Sequence, residues 1–305
     1  MDKGQVIKAL SGFYYIHSEE GHIYQTRARG IFRKDNITPL VGDHVYFTYG
    51  TDKEGTLEDI LPRKNELKRP PVSNVDVGVV VMSISDPDFS VSLLDRNLVT
   101  LEYNDIEPVI YVTKTDIASE ETYLDIKLIC EAYEKIGYTV ILPEQGVVLT
   151  SEEIHDLLRP KLEKKTSVFM GQSGAGKSTL LNKMDRTLEL KTGETSKSLG
   201  RGRHTTRHVE LVPMLGGLIA DTPGFSAIQF EVIDEQELPT CFPEIWEHGK
   251  DCRFSGCIHQ NEPNCAVKAA VDSGEIEAFR YKNYLSLLEE VQNRKPKYGK
   301  KGDRR

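Results

Sequence analysis

The pattern of apolar and polar positions divides the chain into regions of different structure. Up to about residue 68, apolar positions fall in short segments rich in Val, Ile, Tyr, Phe and Thr, which Gly, Asp and Asn separate. Such segments predict β-strands joined by turns. They are GQVIKAL, GFYYIHS, HIYQTRARGIF, DHVYFTYG and TLEDILP. Five short strands in fewer than 70 residues are typical of a small OB-type barrel, a fold that often binds nucleic acid.

Basic and aromatic residues are mixed around the third of these strands. The residues are Tyr24, Arg27, Arg29, Phe32, Arg33 and Lys34. Proteins that bind single-stranded nucleic acid combine positive charge with aromatic rings in this way. An ordinary half-exposed barrel surface has the same appearance, because small barrels serve many functions. Both interpretations stay open at this point.

The pattern changes after residue 75. VDVGVVVMSI is an almost continuous apolar segment, as in a parallel strand that is buried on both faces. EPVIYVTKTD, YTVILP and TSVFMGQ repeat it, and helical segments such as EETYLDIKLICEAYEKIG lie between them. This alternation predicts an α/β sheet with crossover helices. LKRPPVSN precedes this region, and its two prolines predict an irregular linker.

Composition adds mainly exclusions. Hydrophobic residues are 38% and charged residues 28% of the 305, so wholesale disorder is excluded. The net charge of −8 excludes a protein coated in positive charge, although the C-terminal RKPKYGKKGDRR predicts a flexible basic tail. No apolar run approaches the ~18–20 residues of a membrane span, and the N-terminus lacks a secretory signal. We therefore expect a cytoplasmic protein that does not bind membranes.

GQSGAGKS, from Gly171 to Ser178, matches the phosphate-binding pattern G-x-x-x-x-G-K-[ST] between a strand-like and a helix-like segment. Glycines let backbone N–H groups surround phosphate oxygens, and the following helix points its positive end at the same anion. We expect Lys177 to contact the β- and γ-phosphates and Ser178 to bind Mg²⁺. The predicted binding residues are Gly171, Gln172, Ser173, Gly174, Ala175, Gly176, Lys177, Ser178 and Thr179.

Two segments match the guanine-reading pattern [NT]-K-x-D, in which the Asp carboxylate accepts hydrogen bonds from the base and the Lys stem packs on it. Residues 182–185 (NKMD) lie on the helix that follows the phosphate loop. Residues 113–116 (TKTD) directly follow a buried strand, at the edge where such sheets bind ligands. We assign base recognition to Thr113, Lys114, Thr115 and Asp116 and treat residues 182–185 as a chance match.

D-T-P-G follows the apolar segment GGLIA and supplies the third element of the site. At a strand end, D-x-x-G places Asp221 behind Mg²⁺ and the Gly224 N–H near the γ-phosphate. The preceding GETSKSLGRGRHTTRH contains two candidate switch threonines. We place Thr205 with Mg²⁺ and Thr206 with Lys177 in the catalytic group, although either threonine fits either position.

Four of the five cysteines lie between residues 241 and 265. Cys252, Cys257, His259 and Cys265 supply three thiolates and one imidazole at short spacings, which suits tetrahedral Zn²⁺ with no open position. We therefore predict one structural zinc per chain. Buried or disulfide-bonded cysteines are the alternative. Cys241 lies further upstream, and we expect it to pack in the core.

The base-reading motif precedes the phosphate loop, which reverses the usual order in small GTPases and indicates a circular permutation. With V-G-D at 41–43, T-K-x-D, GQSGAGKSTLLN, GRGRHTT, DTPGF and the C-terminal cysteines, the chain resembles the RsgA family (ribosome small-subunit-dependent GTPase A) over nearly its whole length. The resemblance implies a multidomain protein, which we divide into an OB-fold β-barrel (1–68), a permuted α/β P-loop GTPase domain (69–230) and a mainly helical zinc-binding domain (231–305).

The resemblance also implies a function. Members of this family are expected to bind the small (30S) ribosomal subunit and its rRNA late in maturation, and to couple Mg²⁺-dependent hydrolysis of GTP to GDP with release. We expect this chain to do so as a monomer. One departure is visible: EQGVVLTSEE follows GYTVILP, without the S-A dipeptide usual in the fifth GTPase motif. The resemblance therefore leaves the backbone contact to the guanine oxygen unassigned.

Phe225 occupies the position at which Ras-like enzymes hold a water-orienting Gln. Since Phe cannot hydrogen-bond water, we expect slow intrinsic hydrolysis that a partner stimulates. His204 is the candidate that orients the water instead, because an imidazole can donate or accept near neutral pH. A surface histidine in a loop is an equally good interpretation.

Two rival functions remain. A P-loop ATPase or kinase would not need Asp116, and an RNA-binding scaffold with a passive nucleotide would tolerate the loss of Lys177. Both residues therefore discriminate between the hypotheses.

Overall fold

The computed structural model describes residues 1–35, 37–50, 54–68, 71–185, 209–221 and 233–294, without the side chains of Arg33 and Asp221. The chain divides into two compact units, Met1–Gln229 and Phe230–Arg305. The predicted residues His204, Thr205, Thr206, Gly224 and Phe225, and the basic tail from residue 295, lie outside the described residues.

Five strands and one short helix form the N-terminal barrel. They are β1 (Asp2–Leu10), β2 (Phe13–Ser18), β3 (Ile23–Ala28), α1 (Gly30–Lys34), β4 (His44–Tyr49) and β5 (Glu54–Ile60). The strand order is β1-β2-β3-β5-β4, and β4 pairs with β1 to close the barrel. Alternate residues point inward, so Val6, Ile16, Val45, Phe47 and Leu57 are fully buried. The predicted OB-type barrel is confirmed.

The prediction for the third strand was wrong at its C-terminal end. HIYQTRARGIF was expected to be strand throughout, but β3 ends at Ala28, which is its last residue paired with β5, and residues 30–34 are helical. The Phe32 N–H donates to the Arg29 carbonyl at 3.2 Å, which turns the chain. This turn places Phe32, only 6% exposed, in the barrel core. Burial of its ring outweighs the β-propensity of the segment.

The linker is more regular than its prolines predicted. β6 (Glu66–Lys68) and β7 (Pro71–Ser73) form an antiparallel hairpin. Pro71 is the first residue of its strand, a position where the missing N–H is tolerated. The sequence V-G-D at 41–43 joins this hairpin to the barrel. The buried Asp43 carboxylate accepts hydrogen bonds from Arg63 Nε at 2.6 Å and from Ser73 Oγ at 2.7 Å.

Six further strands form the α/β sheet. They are β8 (Val77–Ser83), β9 (Glu107–Thr113), β10 (Thr139–Ile141), β11 (Thr166–Met170), β12 (Glu210–Met214) and β13 (Gly217–Asp221). Their order is β10-β9-β8-β11-β13-β12, in which all neighbours are parallel except β13 and β12. Every residue of β8 is buried, as its continuous apolar sequence predicted. β12 also pairs with β1, which continues the sheet into the barrel.

Four helices lie between these strands, and side chains cap the first three of them at the N-terminus. They are α2 (Val91–Tyr103), α3 (Glu120–Ile136), α4 (Ser151–Leu162) and α5 (Lys177–Met184). Ser90 and Ser119 cap α2 and α3, and Thr150 forms a capping box with Glu153 at the start of α4. Gly137 ends α3 in the left-handed conformation that L residues avoid. The predicted alternation of strands and crossover helices is confirmed.

The second unit is helical, as expected. It contains a 3₁₀ turn (Leu238–Cys241) and the helices α6 (Pro243–Gly249), α7 (Ala266–Ser273) and α8 (Ala278–Gln292). A fully buried guanidinium, that of Arg280, binds the Glu244 carboxylate through two hydrogen bonds of 2.6 and 3.1 Å. None of the helices in the described part of the chain is long and apolar enough to cross a membrane.

Candidate nucleotide site and metal centre

The phosphate loop lies between β11 and α5, where its glycines adopt backbone conformations that other residues avoid. Gly171 has φ +137°, and a Cβ there would lie 2.0 Å from the carbonyl oxygen of Val81. Gly174 and Gly176 also have positive φ angles, of 82° and 88°. The loop can therefore follow this path only with glycine at these positions.

Lys177 is the first residue of α5 and folds over the phosphate loop. Its ammonium group donates to the carbonyl oxygens of Gly171 and Gln172, at 2.5 and 2.8 Å. Burial lowers the pKa of Lys177 to about 8. An anion in the loop would stabilise the charged form, so the side chain is suited to a phosphate. Ser178 and Thr179 follow in the first turn of α5, at the positive end of the helix.

Residues 113–116 lie at the C-terminal end of β9 and contact the phosphate loop. The Thr113 hydroxyl donates to the carbonyl oxygen of Ala175 at 2.7 Å, and it lies 3.2 Å from that of Met82. Lys114 has φ +61°, and its ammonium group donates to the Asp86 carbonyl. Thr115 is buried and Asp116 is exposed. The arrangement brings the two sequence-predicted motifs, 62 residues apart, into direct contact.

A cleft of about 270 Å³ opens beside these motifs. It is lined by four segments: the end of β9 with residues 113–116, the loop after β10, the start of α4, and α5 with the glycine before it. The residues are Tyr111, Val112, Thr113, Lys114, Thr115, Asp116, Pro143, Val147, Val148, Leu149, Ile154, Gly176, Thr179, Leu180 and Lys183. Its volume is close to the lower limit of small-molecule sites. The cleft joins the predicted base-reading residues to the helix that carries the phosphate loop.

Lys183 was not expected in this cleft. The structure places residues 182–185 at the C-terminal end of α5, as the sequence indicated, but Lys183 lines the cleft with Thr179 and Leu180. Lys183 lies four residues after Thr179 and three after Leu180, so it shares their face of α5. This helical spacing could have predicted its position in the cleft.

Asp221 ends β13, the parallel neighbour of β11. The carboxyl end of β13 therefore meets the sheet edge that carries the phosphate loop. The phosphate loop, α5 and the base-reading motif all lie among the described residues. The remaining predicted residues, Gly224 and those at 204–206, lie outside the described part.

The second unit gathers the four predicted metal ligands. The donor atoms of Cys252, Cys257, His259 and Cys265 lie within 4.8 Å of one another. Cys265 Sγ is 3.7 Å from Cys252 Sγ, 3.8 Å from Cys257 Sγ and 3.4 Å from His259 Nδ1. Tetrahedral Zn²⁺ with Zn–S bonds of about 2.3 Å separates its sulfurs by about 3.8 Å. The donor set and its spacing therefore fit a tetrahedral metal.

Burial shifts the pKa values of two of these groups. Burial lowers the pKa of His259, so the imidazole is neutral, as a metal ligand must be. Burial also raises the pKa of Cys257 to about 12, so its thiolate requires a nearby cation. Among the described residues no disulfide joins the cysteines, and Cys241 is buried in the core away from the cluster, as expected.

Two tyrosines of α8 hold the ligand loop in place. The Tyr281 hydroxyl donates to the His259 carbonyl at 2.7 Å, and the Tyr284 hydroxyl donates to the Ile258 carbonyl at 2.6 Å. The Glu262 carboxylate accepts from the backbone N–H groups of Ile258 and Gln260. These contacts fix His259, whose φ is +57°, in its orientation toward the cysteines. The tyrosine contacts join residues 22 and 26 positions apart in the sequence, so no local pattern predicted them.

Comparison with known proteins identifies the family of this chain. A family model described as RsgA GTPase matches residues 60–231, and one described as RsgA N-terminal domain matches residues 3–57. A relative from Enterococcus faecalis, "Small ribosomal subunit biogenesis GTPase RsgA", is 54% identical over 299 residues, 98% of each chain. The chain belongs to the RsgA GTPase family.

Other RsgA relatives support the assignment over the full length. One from Bacillus cereus is 50% identical over 98% of this chain and 100% of its own. The solved structure of YloQ, "a circularly permuted GTPase", has a TM-score of 0.82 at 46% identity and covers 98% of this chain and 97% of its own. YjeQ from Thermotoga maritima has a TM-score of 0.83 at 32% identity, over 96% of this chain and 99% of its own. The permuted architecture expected from the motif order is confirmed.

Proposed function

We propose that this chain is a GTP hydrolase that acts in the biogenesis of the small ribosomal subunit. One observation carries the proposal: the phosphate loop and the T-K-T-D motif meet through the hydrogen bond from Thr113 to Ala175, so that one nucleotide can span both. Relatives that are named small ribosomal subunit biogenesis GTPases share about half of the sequence over its whole length. Membership of the RsgA GTPase family supports GTP hydrolysis.

The site residues follow from this proposal. The loop from Gly171 to Thr179 binds the α-, β- and γ-phosphates, with Lys177 as their cation. Asp116 accepts hydrogen bonds from guanine, and the Lys114 stem packs against the base. Mg²⁺ is bound by Ser178 and Thr205, with Asp221 behind it and Gly224 near the γ-phosphate.

His204 and Thr206 complete the catalytic group in this proposal, together with Lys177. His204 orients the attacking water, since Phe225 cannot. These assignments rest on the sequence alone. The hypothesis for His204 predicts that His204→Ala abolishes the stimulation of hydrolysis by the partner.

The metal centre is proposed to hold one structural Zn²⁺. Its ligands are Cys252, Cys257, His259 and Cys265. With all four tetrahedral positions supplied by the protein, the ion has no site for a substrate and stabilises the fold of the second unit.

We infer three domains and a ribosomal partner. The domains are an OB-fold domain (1–68), the permuted GTPase domain (69–230) and the zinc-binding domain (231–305). The barrel supplies the rRNA contact in this proposal, because Arg27 and Arg29 are exposed on it. The basic and aromatic surface predicted around the third strand is smaller than expected. Phe32 is buried, and Arg29 lies 3.4 Å from the carboxylate of Glu58, which offsets its charge. The chain acts as a monomer on 30S subunits in the cytoplasm, with hydrolysis coupled to release.

The direct test is GTP hydrolysis by the purified protein with and without purified small ribosomal subunits. We expect a slow basal rate that only small subunits stimulate, with large subunits and ATP as controls. Lys177→Ala should abolish both rates, because it removes the cation of the phosphate loop. Tight GTP binding without stimulation by small subunits would preserve the nucleotide site and contradict the ribosomal partner.

A further inference from the structure

The loop after β10, residues 143–149, forms the wall of the cleft that faces the base-reading motif. Pro143, Val147, Val148 and Leu149 line the cleft from this loop, opposite Thr113 and its neighbours. Val148 is 60% and Val147 39% exposed. The loop stands where the family resemblance implies the fifth GTPase motif, whose backbone is expected to contact the 6-oxo group of guanine, although this chain lacks the S-A dipeptide. Its position relative to the base therefore affects guanine binding.

Two hydrogen bonds fix the first half of this loop. The Gly146 N–H donates to the Thr115 carbonyl at 3.1 Å, and Gln145 Nε2 donates to the Ala118 carbonyl at 3.2 Å. Thr115 belongs to the base-reading motif, and Ala118 lies two residues after it. This half of the loop is therefore hydrogen-bonded to the chain on both sides of Asp116.

Among the described residues, a side chain from outside the loop hydrogen-bonds its second half, in which Leu149 also packs against the apolar core. Lys183 Nζ donates to the Leu149 carbonyl at 3.1 Å, across 34 residues of chain. Lys183 lies on α5, the helix that begins at the phosphate loop, and its stem also lines the cleft. After Leu149 the chain enters α4 through the capping box at Thr150. The hydrogen bond thus joins the helix of the phosphate site to the wall of the base site.

We propose that Lys183 is a positioning residue for guanine recognition, which holds residues 147–149 at the distance where the loop backbone contacts the 6-oxo group. This inference rests on the proposed GTP-binding function. In this proposal Lys183 takes no part in the hydrogen bonds between Asp116 and the base. Its loss should therefore weaken the contact to the 6-oxo group and leave the contacts to N1 and the 2-amino group intact.

The test compares GDP with 6-thio-GDP, in which sulfur replaces the 6-oxo oxygen and accepts hydrogen bonds poorly while N1–H and the 2-amino group remain. Lys183→Met keeps an apolar stem in the cleft and removes only the donor. We expect its affinity for GDP to fall about three- to tenfold, the range for one hydrogen bond from a charged donor that is partly exposed. The affinity for 6-thio-GDP should fall less than about twofold on the same argument.

Three further variants complete the experiment on the full chain. Lys183→Arg retains a donor and should restore the preference for GDP over 6-thio-GDP. Lys127→Met removes an exposed lysine of α3 and should match the wild type. Lys183→Ala should show the same changes in affinity as Lys183→Met. Because alanine favours helices, it can replace Lys183→Met in the comparison if that variant does not fold. Thermal unfolding of each variant confirms that the compared proteins are folded.

Two results would overturn the inference: unchanged affinity of Lys183→Met for GDP, or equal losses for GDP and 6-thio-GDP. Equal losses would show that Lys183 supports the whole site without selecting the 6-oxo group. A wild-type protein that binds ADP as tightly as GDP would instead contradict the proposed function. The two failures are therefore distinct.

Discussion

Replacing Thr113 by valine tests whether the two nucleotide motifs act as one site. The hydroxyl of Thr113 donates to the Ala175 carbonyl at 2.7 Å, and Ala175 is fully buried. Valine has nearly the same shape, so Thr113→Val removes the donor and leaves a buried acceptor without it. An unsatisfied buried polar group costs about 1–3 kcal/mol, and the half-buried position of Thr113 favours about 1–2 kcal/mol here.

This magnitude predicts two measurable changes. A loss of about 1–2 kcal/mol lowers the melting temperature of a unit of this size by about 2–8 °C. If the hydrogen bond also sets the spacing between the phosphate loop and the base-reading motif, the affinity for GDP falls as well. The same ~1–2 kcal/mol then corresponds to a dissociation constant that is up to about 5–30-fold higher. Thermal unfolding and equilibrium titration with a fluorescent GDP analogue measure the two effects on the same protein.

Two matched variants test the cause. Thr113→Ser keeps the hydroxyl and should retain most of the GDP affinity. Thr56→Val makes the same substitution at an exposed position of β5 and should change neither quantity. The reasoning is refuted if Thr113→Val binds GDP and unfolds like the wild type, or if Thr113→Ser loses as much as Thr113→Val.

Three further predictions concern the charged groups and the metal. Asp116→Asn should lower affinity for GTP and raise it for xanthosine triphosphate, since an amide can donate to the 2-oxo group; comparative titration measures both, and equal losses would argue against base contact. Because burial lowers the pKa of Lys177 to about 8, the ammonium is charged below that pH, so GDP affinity should be highest there and fall as pH rises through 8. Titrations on either side of pH 8 test this, and a flat profile contradicts it. We expect elemental analysis to find one zinc per chain in the wild type; Cys265→Ser should lose this zinc, whereas Cys241→Ser should keep it.

Much of the architecture could be predicted from local sequence. The apolar run of β8 and the alternation in the barrel depend only on near neighbours in the sequence. Each pattern correctly predicted strands that the structure contains. The glycine positions in the phosphate loop are largely local as well, because φ angles of +82° to +137° strain any other residue whatever surrounds it. The spacing of Cys252, Cys257, His259 and Cys265 predicted their cluster for a similar reason, since short loops keep their ends close.

Predictions failed where a distant contact outweighed local preference. Phe32 lies in a helix because the barrel core accepts its ring, and Pro71 begins a strand because the hairpin needs no N–H there. Arg280, for which no prediction was made, is charged and yet fully buried, because Glu244, 36 residues away, accepts two hydrogen bonds from it. No pattern in the neighbouring sequence indicates these partners.

The sequence by itself determined which chemistry to expect of this protein: it contains a phosphate-loop pattern, a predicted guanine-reading motif that precedes it, and four closely spaced residues that could bind a metal. Only the tertiary structure decided how these parts meet. The sheet order places β9 and β11 on either side of β8, which brings Thr113 to Ala175 and Lys183 to Leu149. The physical reason is that backbone conformation and ligand type depend on adjacent residues, whereas hydrogen bonds across 62 or 34 residues exist only after the strands have paired.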